Sequence, residues 1–404
     1  MSDRPTLLFV SPQFLFPMDA GGKIRTANIL KRLKGGAFKI RLLMPATHAA
    51  RDRWSDEIAT LADDVRNFTP PSDNLVLRAR RAAALLGAMP VSVASDASKA
   101  ARLALLGELE EPADLVVFDY AHSLAFAPRA LNARSCLFAH NVETEILERH
   151  AKASAGAMRI VWRREAGKMR RFEMRACERV EAVIAVSDRD AQTFRTKFGA
   201  MRAFAVPTGV DPDFYRYSPP SADDPPRLIF TGTLDWRANI DGLSWFMDCV
   251  WPQIIRERND VSFTIIGKNP PPLLVARARS RRLNWRFTGY VEDIRDHANG
   301  SVFVIPLKVG GGTRIKAFEA MAMGLPVVST PLGVEGLPLR PGEHFLQAHE
   351  ARPFADAVLR LLDAHSLRLE IAAKARSLVE KNFSHENAAR AFEKYCLEII
   401  GAAR

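Results

Sequence analysis

Residues 302–330 read VFVIPLKVGGGTRIKAFEAMAMGLPVVST, which predicts a buried strand, a glycine loop, a helix and a second buried strand. Three consecutive glycines let backbone N–H groups approach a ligand closely, and the helix aims the positive end of its dipole at the same place. Arg314 and Lys316 add cations to a first turn that ordinarily favours Asp or Glu. Glu319 lies roughly 7 Å further along the helix than Arg314, within reach of a ribose attached to a bound diphosphate. The segment therefore predicts a site for an anionic, hydroxyl-bearing ligand.

Each of these residues also has an ordinary structural explanation. Lys316 and Glu319 are spaced as an i,i+3 ion pair, and glycines 310–312 fit a flexible turn. Their combination between two β-branched strands favours a phosphate or nucleotide site over these alternatives.

The length and composition indicate a globular protein of two domains. Its 404 residues exceed one compact domain, and 48% of them are apolar. The four cysteines are scattered without a C-x-x-C pair, which favours reduced thiols over disulfides or a metal cage. No apolar run approaches the ~18 residues of a membrane span, and the first one is too short for a signal peptide. These features predict a cytoplasmic protein, soluble or peripherally attached to the inner face of the plasma membrane.

The net charge of +11 is unevenly distributed. Residues 1–200 hold 31 basic and 23 acidic side chains, whereas residues 201–404 hold 26 and 23. The excess of basic residues concentrates in residues 159–180, which also contain the apolar side chains Ile160, Trp162, Met169 and Phe172. A second basic cluster near leucines consists of Arg78, Arg80 and Arg81. Such segments either lie on an anionic membrane surface or form a solvated helix whose apolar stripe faces the core. No motif for binding nucleic acid accompanies them.

Short apolar runs alternate with helical patterns in both halves of the chain. The predicted strands are residues 7–10, 40–44, 115–118, 136–139, 182–186, 228–230, 261–266, 285–287, 302–305 and 327–329, and the predicted helices include residues 27–33, 240–251 and 314–323. This alternation is typical of parallel sheets with crossover helices. The Pro- and Asp-rich stretch after Val206 predicts a linker.

The predicted fold class is α/β, with two doubly wound Rossmann-like domains facing each other across a cleft. The domains cover residues 1–206 and 207–385, and a C-terminal helix over residues 386–404 packs back on the first domain. Ligands of such sheets bind at the carboxyl ends of the strands. At these ends the chain has Gly21 and Gly22, followed by the cations Lys23 and Arg25, and it has His140. An imidazole there can bind a substrate hydroxyl or shuttle a proton, and a purely structural histidine is the alternative.

Several of these segments resemble the family-4 retaining glycosyltransferases of the GT-B fold, and the similarity extends over nearly the whole chain. They are the Gly21–Gly22 loop, HNVE at 140–143, AVSDRD at 185–190, VPTGVD at 206–211, GYVED at 289–293 and, most specifically, GGGTRIKAFEAMAMGLPVVST from Gly310. The GGGTRIK segment and FTGTLDWRANIDGLSWF at 230–246 are similar to the subgroup that builds bacterial exopolysaccharides and other surface glycans.

The resemblance implies that the C-terminal domain binds a nucleotide sugar and the N-terminal domain binds the acceptor. Glu319 matches the glutamate that holds the ribose hydroxyls, but Gly311 replaces an earlier glutamate and Thr233 replaces an arginine. The expected catalytic residues are His140, Arg314, Lys316 and Glu319. The expected donor-binding residues are Gly21, Gly22, Thr233, Arg237, Gly267, Tyr290, Val291, Gly310, Gly311, Gly312 and Thr313. No metal or cofactor is expected, because cations and a helix N-terminus supply the charge that a departing diphosphate needs.

The expected function is that of a retaining, metal-independent hexosyltransferase. It takes the sugar from a UDP- or GDP-linked donor and passes it to a glycan or lipid-linked acceptor in surface polysaccharide biosynthesis. An anionic membrane surface is a further expected partner, and nucleic acid is not. The alternatives are a GT-B nucleotide-sugar epimerase and a non-catalytic basic protein that binds polyanions.

Overall fold

The computed structural model describes residues 4–71, 75–309 and 314–401, apart from the side chain of Val76. The chain forms two compact units. The first contains the chain up to Thr208 together with the final helix from His385, and the second contains most of the chain from Gly209 to Ser384. The sequence predicted divisions at residues 206 and 385.

The first unit is built on a seven-stranded parallel sheet. Its strands are β1 (Thr6–Val10), β2 (Lys39–Pro45), β3 (Asp64–Phe68), β4 (Leu115–Asp119), β5 (Ser135–Phe138), β6 (Ala182–Ala185) and β7 (Ala203–Ala205), in the order β3-β2-β1-β4-β5-β6-β7. Successive residues of β1 point to opposite sides of the sheet. Leu7 and Phe9 enter one apolar cluster, and Leu8 and Val10 enter the other. The sheet is therefore covered on both faces, which explains why its central strands are apolar throughout.

Helices cover both faces of this sheet. They are α1 (Gly21–Leu33), α2 (His48–Arg53), α3 (Ser55–Ala59), α4 (Leu75–Leu86), α5 (Val91–Asp96), α6 (Lys99–Glu108), α7 (Tyr120–Ser123), α8 (Glu143–Ala153), α9 (Gly156–Glu178) and α10 (Asp188–Phe198), joined by the final helix α18 (His385–Gly401). The start of α10 follows from local chemistry, because the Ser187 side chain accepts a hydrogen bond from the Asp190 backbone N–H. Helix α18 packs beside α1, and its Phe392 ring lies 4.9 Å from that of Phe138.

The second unit has a six-stranded parallel sheet of the same design. Its strands are β8 (Arg227–Thr231), β9 (Ser262–Ile266), β10 (Trp285–Gly289), β11 (Val302–Ile305), β12 (Val327–Ser329) and β13 (Leu346–Gln347), in the order β10-β9-β8-β11-β12-β13. Its helices are α11 (Arg237–Trp245), which continues through a π-helical turn (Phe246–Val250) into α12 (Trp251–Glu257), then α13 (Pro272–Ser280), α14 (Arg295–Ala298), α15 (Ile315–Ala322), a 3-10 turn (Pro331–Val334), α16 (Ala351–Asp363) and α17 (His365–Asn382). Helix α15 ends as the sequence predicts, since Gly324 adopts φ 81°.

The prediction of two doubly wound α/β units is confirmed, while some element bounds were wrong. Helix α1 begins at Gly21 rather than near Ala27, so the two glycines form its first turn and not a loop. The α11–α12 helix extends from Arg237 to Glu257, past both predicted ends. Strands β3, β7 and β13 were missed because all three are short or polar edge strands with a weak apolar signal. None of the helices in the described ranges has the length and apolar composition of a membrane span.

The contact of α18 with the first unit predicts a large loss of stability when Phe392 is truncated. Phe392 is fully buried and touches the rings of Phe9 and Phe138. We expect Phe392→Ala to lower the free energy of unfolding by about 3–5 kcal/mol, measured by urea denaturation. Leu397→Ala, at a 42% exposed position on the same helix, is the control and should change it by less than about 1 kcal/mol. Equal effects of the two substitutions would contradict the described packing.

Candidate functional site

In both sheets the order of the strands reverses at one point, between β1 and β4 in the first unit and between β8 and β11 in the second. At such a point neighbouring crossovers leave in opposite directions, which opens a crevice beyond the carboxyl ends of the strands. Each unit places a cluster of buried or half-buried polar side chains there. The two clusters differ in the hydrogen-bond partners of their charged side chains.

In the second unit, Lys316 lies at this reversal point. It is the second residue of α15, whose preceding segment follows β11, and its amine reaches back to the end of β8. Lys316 Nζ donates to Asn239 Oδ1 at 3.1 Å and lies 4.3 Å from the centre of the Phe230 ring. Asn239 is buried, and its Nδ2 donates to the Thr233 carbonyl at 2.8 Å. The amine is thus held by a neutral amide and an aromatic face.

This environment disfavours the charge of Lys316. Burial, together with the neighbouring charge of Arg314, lowers its pKa to about 7, while Glu319 opposes the shift. Arg314 itself is buried, caps the helix with φ 48° and precedes the first turn of α15. Two adjacent cations at a helix N-terminus repel each other, and a bound anion would relieve that repulsion. The arrangement is suited to an anionic ligand.

Glu319 lies one turn beyond Lys316 on α15. Its Oε1 accepts a hydrogen bond from Tyr215 Oη at 2.9 Å. Burial raises the pKa of Glu319, while Tyr215 and Lys316 both lower it. The Tyr215 bond occupies one carboxylate oxygen and leaves Oε2 for a further donor.

Two glycines permit the close approach of the loops around Lys316. Gly232 has φ 153°, and a Cβ there would lie 2.7 Å from both Lys316 Nζ and Asn239 Nδ2. A Cβ on Gly267 would lie 2.0 Å from the Gly232 carbonyl oxygen, so the loop after β9 packs directly on the loop after β8. Thr233 contributes its carbonyl to this arrangement, as the acceptor for Asn239.

The other predicted donor-site residues occupy varied places. Arg237 begins α11 with a 79% exposed side chain that pairs with Asp241 at 3.3 Å. Tyr290 is 72% exposed after β10, and Val291 packs against the core of the second unit. Gly310, Gly311, Gly312 and Thr313, which the sequence assigned to the donor site, lie outside the described residues.

In the first unit, the reversal point holds a hydrogen-bonded cluster around Asp119, the last residue of β4. Asp119 Oδ1 is 2.6 Å from His140 Nε2, and it also accepts from Thr26 Oγ1 at 3.1 Å. Asp119 Oδ2 accepts from Ser11 Oγ at 2.9 Å. His140 is buried, and burial lowers its pKa even though Asp119 acts in the opposite direction. Because a carboxylate only accepts, the imidazole donates its Nε2–H to Asp119, and burial favours the neutral ring.

Tyr120 closes this cluster over the start of α1. Its ring stacks on His140 with centroids 4.1 Å apart, and its backbone adopts φ 58°, which is unusual for a residue with a side chain. A Cβ on Gly22 would lie 1.5 Å from Tyr120 Oη, so only glycine fits at that position. Gly21 is the first residue of the same helix. The predicted glycine pair thus accommodates an aromatic ring in this structure, and its proposed contact with the donor stays a prediction.

Arg25 does not present its charge to a ligand, in contrast to the role that the sequence suggested. The side chain is buried and donates to the carbonyls of Ala139, Ala185 and Val206 at 3.0, 3.1 and 2.6 Å. These carbonyls follow or end β5, β6 and β7, so one guanidinium ties three strand ends together. Burial lowers its pKa to about 9. The sequence pattern of α1 did not indicate that the Arg25 side chain points inward.

Polar residues of both clusters were missed by sequence reasoning. Asp119 and Tyr120 follow a predicted strand, as His140 does, and their position at a strand end was a usable signal. Asn239 lies on α11, in a stretch that the sequence marked only as a motif. Tyr215 lies in the predicted linker, where nothing in the local pattern indicated a partner on α15.

Comparison with known proteins agrees with this architecture. The model for Glycosyltransferase Family 4 matches residues 52–214, and the model for Glycosyl transferases group 1 matches residues 225–364. The structure of the Anabaena protein Alr3699/HepE in complex with UDP and glucose superposes with a TM-score of 0.71 at 13% identity, and covers 97% of this chain and 100% of that one. At this identity the likeness establishes the fold.

Two curated relatives match parts of the chain. An uncharacterized 44.6 kDa protein in the cps region of Klebsiella pneumoniae is 29% identical over 164 residues, which are 39% of this chain and 42% of that protein. A phosphatidyl-myo-inositol mannosyltransferase of Mycobacterium leprae is 29% identical over 212 residues, which are 50% of this chain and 56% of that protein. The matches thus span about half the length of these relatives. The two family models adjoin and together take in about three quarters of the residues, and the chain belongs to the family-4 glycosyltransferases of the GT-B fold.

Proposed function

We propose that this protein is a retaining hexosyltransferase that uses a UDP- or GDP-linked sugar as donor. The observation that carries the proposal is the Arg314–Lys316–Glu319 arrangement on α15. It joins two mutually repelling cations, one with a pKa lowered to about 7, to a carboxylate one turn further along. Perturbed groups of this kind are typical of functional sites. The cations suit a diphosphate, and the carboxylate suits the hydroxyls of a ribose.

The proposed reaction needs no catalytic carboxylate pair. The bond between the anomeric carbon and the diphosphate oxygen breaks while the acceptor oxygen bonds to the same carbon from the same face. The acceptor hydroxyl proton passes to the departing diphosphate oxygen. Arg314, Lys316 and the N-terminal end of α15 stabilise the negative charge that develops on that oxygen. We propose that these groups act without a divalent metal. We also propose that His140, in the acceptor-binding unit, binds a hydroxyl of the acceptor.

The proposed acceptor is a glycan or lipid-linked precursor of a surface polysaccharide. The cps-region location of one relative and the phosphatidyl-inositol acceptor in the name of the other support this class. We propose that the protein acts in the cytoplasm, at the inner face of the plasma membrane. A GT-B epimerase is the alternative enzyme, and it would convert the donor without any acceptor.

Substitutions at the donor site test the proposal. We expect Glu319→Ala and Lys316→Ala each to weaken nucleotide-sugar binding at least about tenfold, because each removes a charge-assisted contact. The measurement is isothermal titration calorimetry with a panel of UDP- and GDP-sugars, with circular dichroism to verify folding. Lys374→Ala, on the exposed surface of α17, is the control. The proposal fails if the wild-type protein binds no member of the panel.

The lowered pKa of Lys316 predicts that donor binding depends on pH. An anion favours the charged amine, so binding takes up a proton above about pH 7. We expect the affinity for a nucleotide sugar to fall about tenfold from about pH 7 to about pH 9. A nucleotide sugar is the suitable probe, because its diphosphate diester does not titrate in this range. In Lys316→Met the dependence of affinity on pH should disappear, whereas Lys374→Met should retain it. If Lys316→Met retained the dependence, another group would be responsible for it.

We propose that the protein attaches to the membrane through a surface of the first unit that α4 and α9 form. Arg164 Nη2 donates to the Leu86 carbonyl at 2.8 Å and Lys168 Nζ to the Ala84 carbonyl at 2.7 Å, so the end of α4 adjoins α9. This basic apolar surface consists of exposed side chains of both kinds: Leu75, Leu85, Leu86, Met89, Met158 and Ile160 with Arg78, Arg80, Arg81, Arg159, Arg163 and Arg164. Glu165 and Glu173 of α9 are buried and do not offset its charge.

The opposite side of α9 packs inward, as expected for the alternative of a solvated helix whose apolar stripe faces the core. Met169 is buried, Phe172 packs against the core, and the half-buried Trp162 stacks on His150 with centroids 5.1 Å apart. Of the apolar side chains that the sequence singled out on this helix, only Ile160 belongs to the exposed surface. The basic apolar surface combines the charge and the apolar groups that an anionic membrane attracts.

Vesicle binding tests the membrane proposal. We expect the protein to sediment with vesicles that contain phosphatidylglycerol, and far less with pure phosphatidylcholine vesicles. The double substitution Leu86→Asn and Ile160→Asn should lower vesicle affinity at least about tenfold, because both exposed side chains insert at the interface. Leu273→Asn, at a 74% exposed position of the second unit, is the matched control. Equal binding by both variants would contradict the proposal, and tighter binding to DNA than to vesicles would favour the polyanion alternative.

A further inference from the structure

Tyr215 lies in the segment that opens the second unit, and its only role on sequence grounds is that of a linker residue. In the structure its hydroxyl donates to Glu319 Oε1 at 2.9 Å. Its ring is half-buried against the apolar cluster that also contains Phe318 and Phe383. A phenylalanine would fill the same space, so the hydroxyl requires its own explanation.

The backbone at Tyr215 is held by a half-buried guanidinium. Arg376 Nη1 of α17 donates to the Tyr215 carbonyl at 2.6 Å and also to the Ala322 carbonyl, which ends α15. Arg376 Nη2 donates to the Pro212 carbonyl at 3.0 Å. One side chain therefore clamps the segment that carries Tyr215 onto the helix that carries Glu319. The backbone that carries the hydroxyl is thus tied to the helix that carries the carboxylate.

The hydroxyl changes what Glu319 can do. Burial favours the protonated form of this carboxyl group, and a protonated group has one acceptor fewer. A donated hydrogen bond favours the ionised form and fixes the plane of the carboxylate, with Oε2 left for a ligand. The charged groups nearest to this pair are Lys316 on the same helix and the Asp293–Arg295 ion pair next to Tyr215.

We infer that Tyr215 is a positioning residue of the donor site, which holds the Glu319 carboxylate in the orientation and charge state that a ribose diol requires. This inference rests on the proposed function. It assigns Tyr215 an effect on the recognition of the ribose hydroxyls, and none on the recognition of the diphosphate, which falls to Arg314 and Lys316.

The test is Tyr215→Phe, which retains the ring and removes the hydroxyl. The probes are UDP and GDP, each with its 2′,3′-dideoxy counterpart, titrated by calorimetry between about pH 5.5 and about pH 8. We expect Tyr215→Phe to bind the ribose ligand about tenfold more weakly than the wild type at the acid end of this range. The pH at which affinity has fallen by half should be higher for the variant, and the difference in affinity should become smaller toward pH 8. The dideoxy ligand should bind the wild type and the variant equally.

Two further variants separate a specific effect from a structural one. Tyr217→Phe, at an exposed tyrosine of the same unit, should leave the binding of both ligands unaffected. In a Glu319→Gln background, Tyr215→Phe should add little further loss, because the carboxylate that the hydroxyl serves is gone.

The outcomes distinguish this inference from the proposed function. If the wild type binds neither nucleotide, the proposed function fails and the inference fails with it. If the wild type binds, Glu319→Gln weakens binding and Tyr215→Phe binds like the wild type at every pH, then the donor site stands and the inference is overturned. A loss that is independent of pH and equal for the dideoxy ligands would also overturn it, because it would assign Tyr215 to packing alone.

Discussion

Both units depend on the reversal of strand order at the centre of a parallel sheet. The strands of these sheets use their backbone hydrogen bonds within the sheet and bury their side chains on both faces. Polar chemistry is therefore confined to the carboxyl ends of the strands, and the reversal opens a crevice at one pair of them. Asp119 and Lys316 lie at these two places, each beyond the central strands of its own unit.

The two crevices differ in their electrostatics. In the first unit, Arg25 donates to three backbone carbonyls and His140 pairs with Asp119, so both side chains have hydrogen-bond partners within the unit. In the second unit, Lys316 has a neutral amide and an aromatic ring as its contacts and a second cation nearby. A site that brings two cations close together gains from an anionic ligand, whereas a cluster whose members bond to one another chiefly organises the structure around it. The same topology thus supports a hydrogen-bonded cluster in one unit and a candidate anion site in the other.

Much of the fold was predictable from the sequence because burial leaves a direct signature. The central strands are continuous apolar runs, and the end of α15 is marked by Gly324 and Pro326, so both could be located from residue type alone. The start of α1 could not, because Gly21 and Gly22 read locally as a loop. The reason for a glycine at position 22 lies in Tyr120, whose ring occupies the space that a side chain there would need. Edge strands such as β3 were missed for a related reason, since they are stabilised by one neighbour and remain partly exposed.

The sequence by itself determined the two α/β units, the family and the candidate residues Arg314, Lys316 and Glu319. These follow from local periodicity and from a motif within one short segment. Only the tertiary structure decided that Arg25 faces inward, that Asn239 holds Lys316 and that Tyr215 bonds to Glu319. The partners in these pairs are separated by 181, 77 and 104 residues. Hydrogen bonds depend on distances of a few ångström between particular atoms, and the packing of whole elements sets those distances.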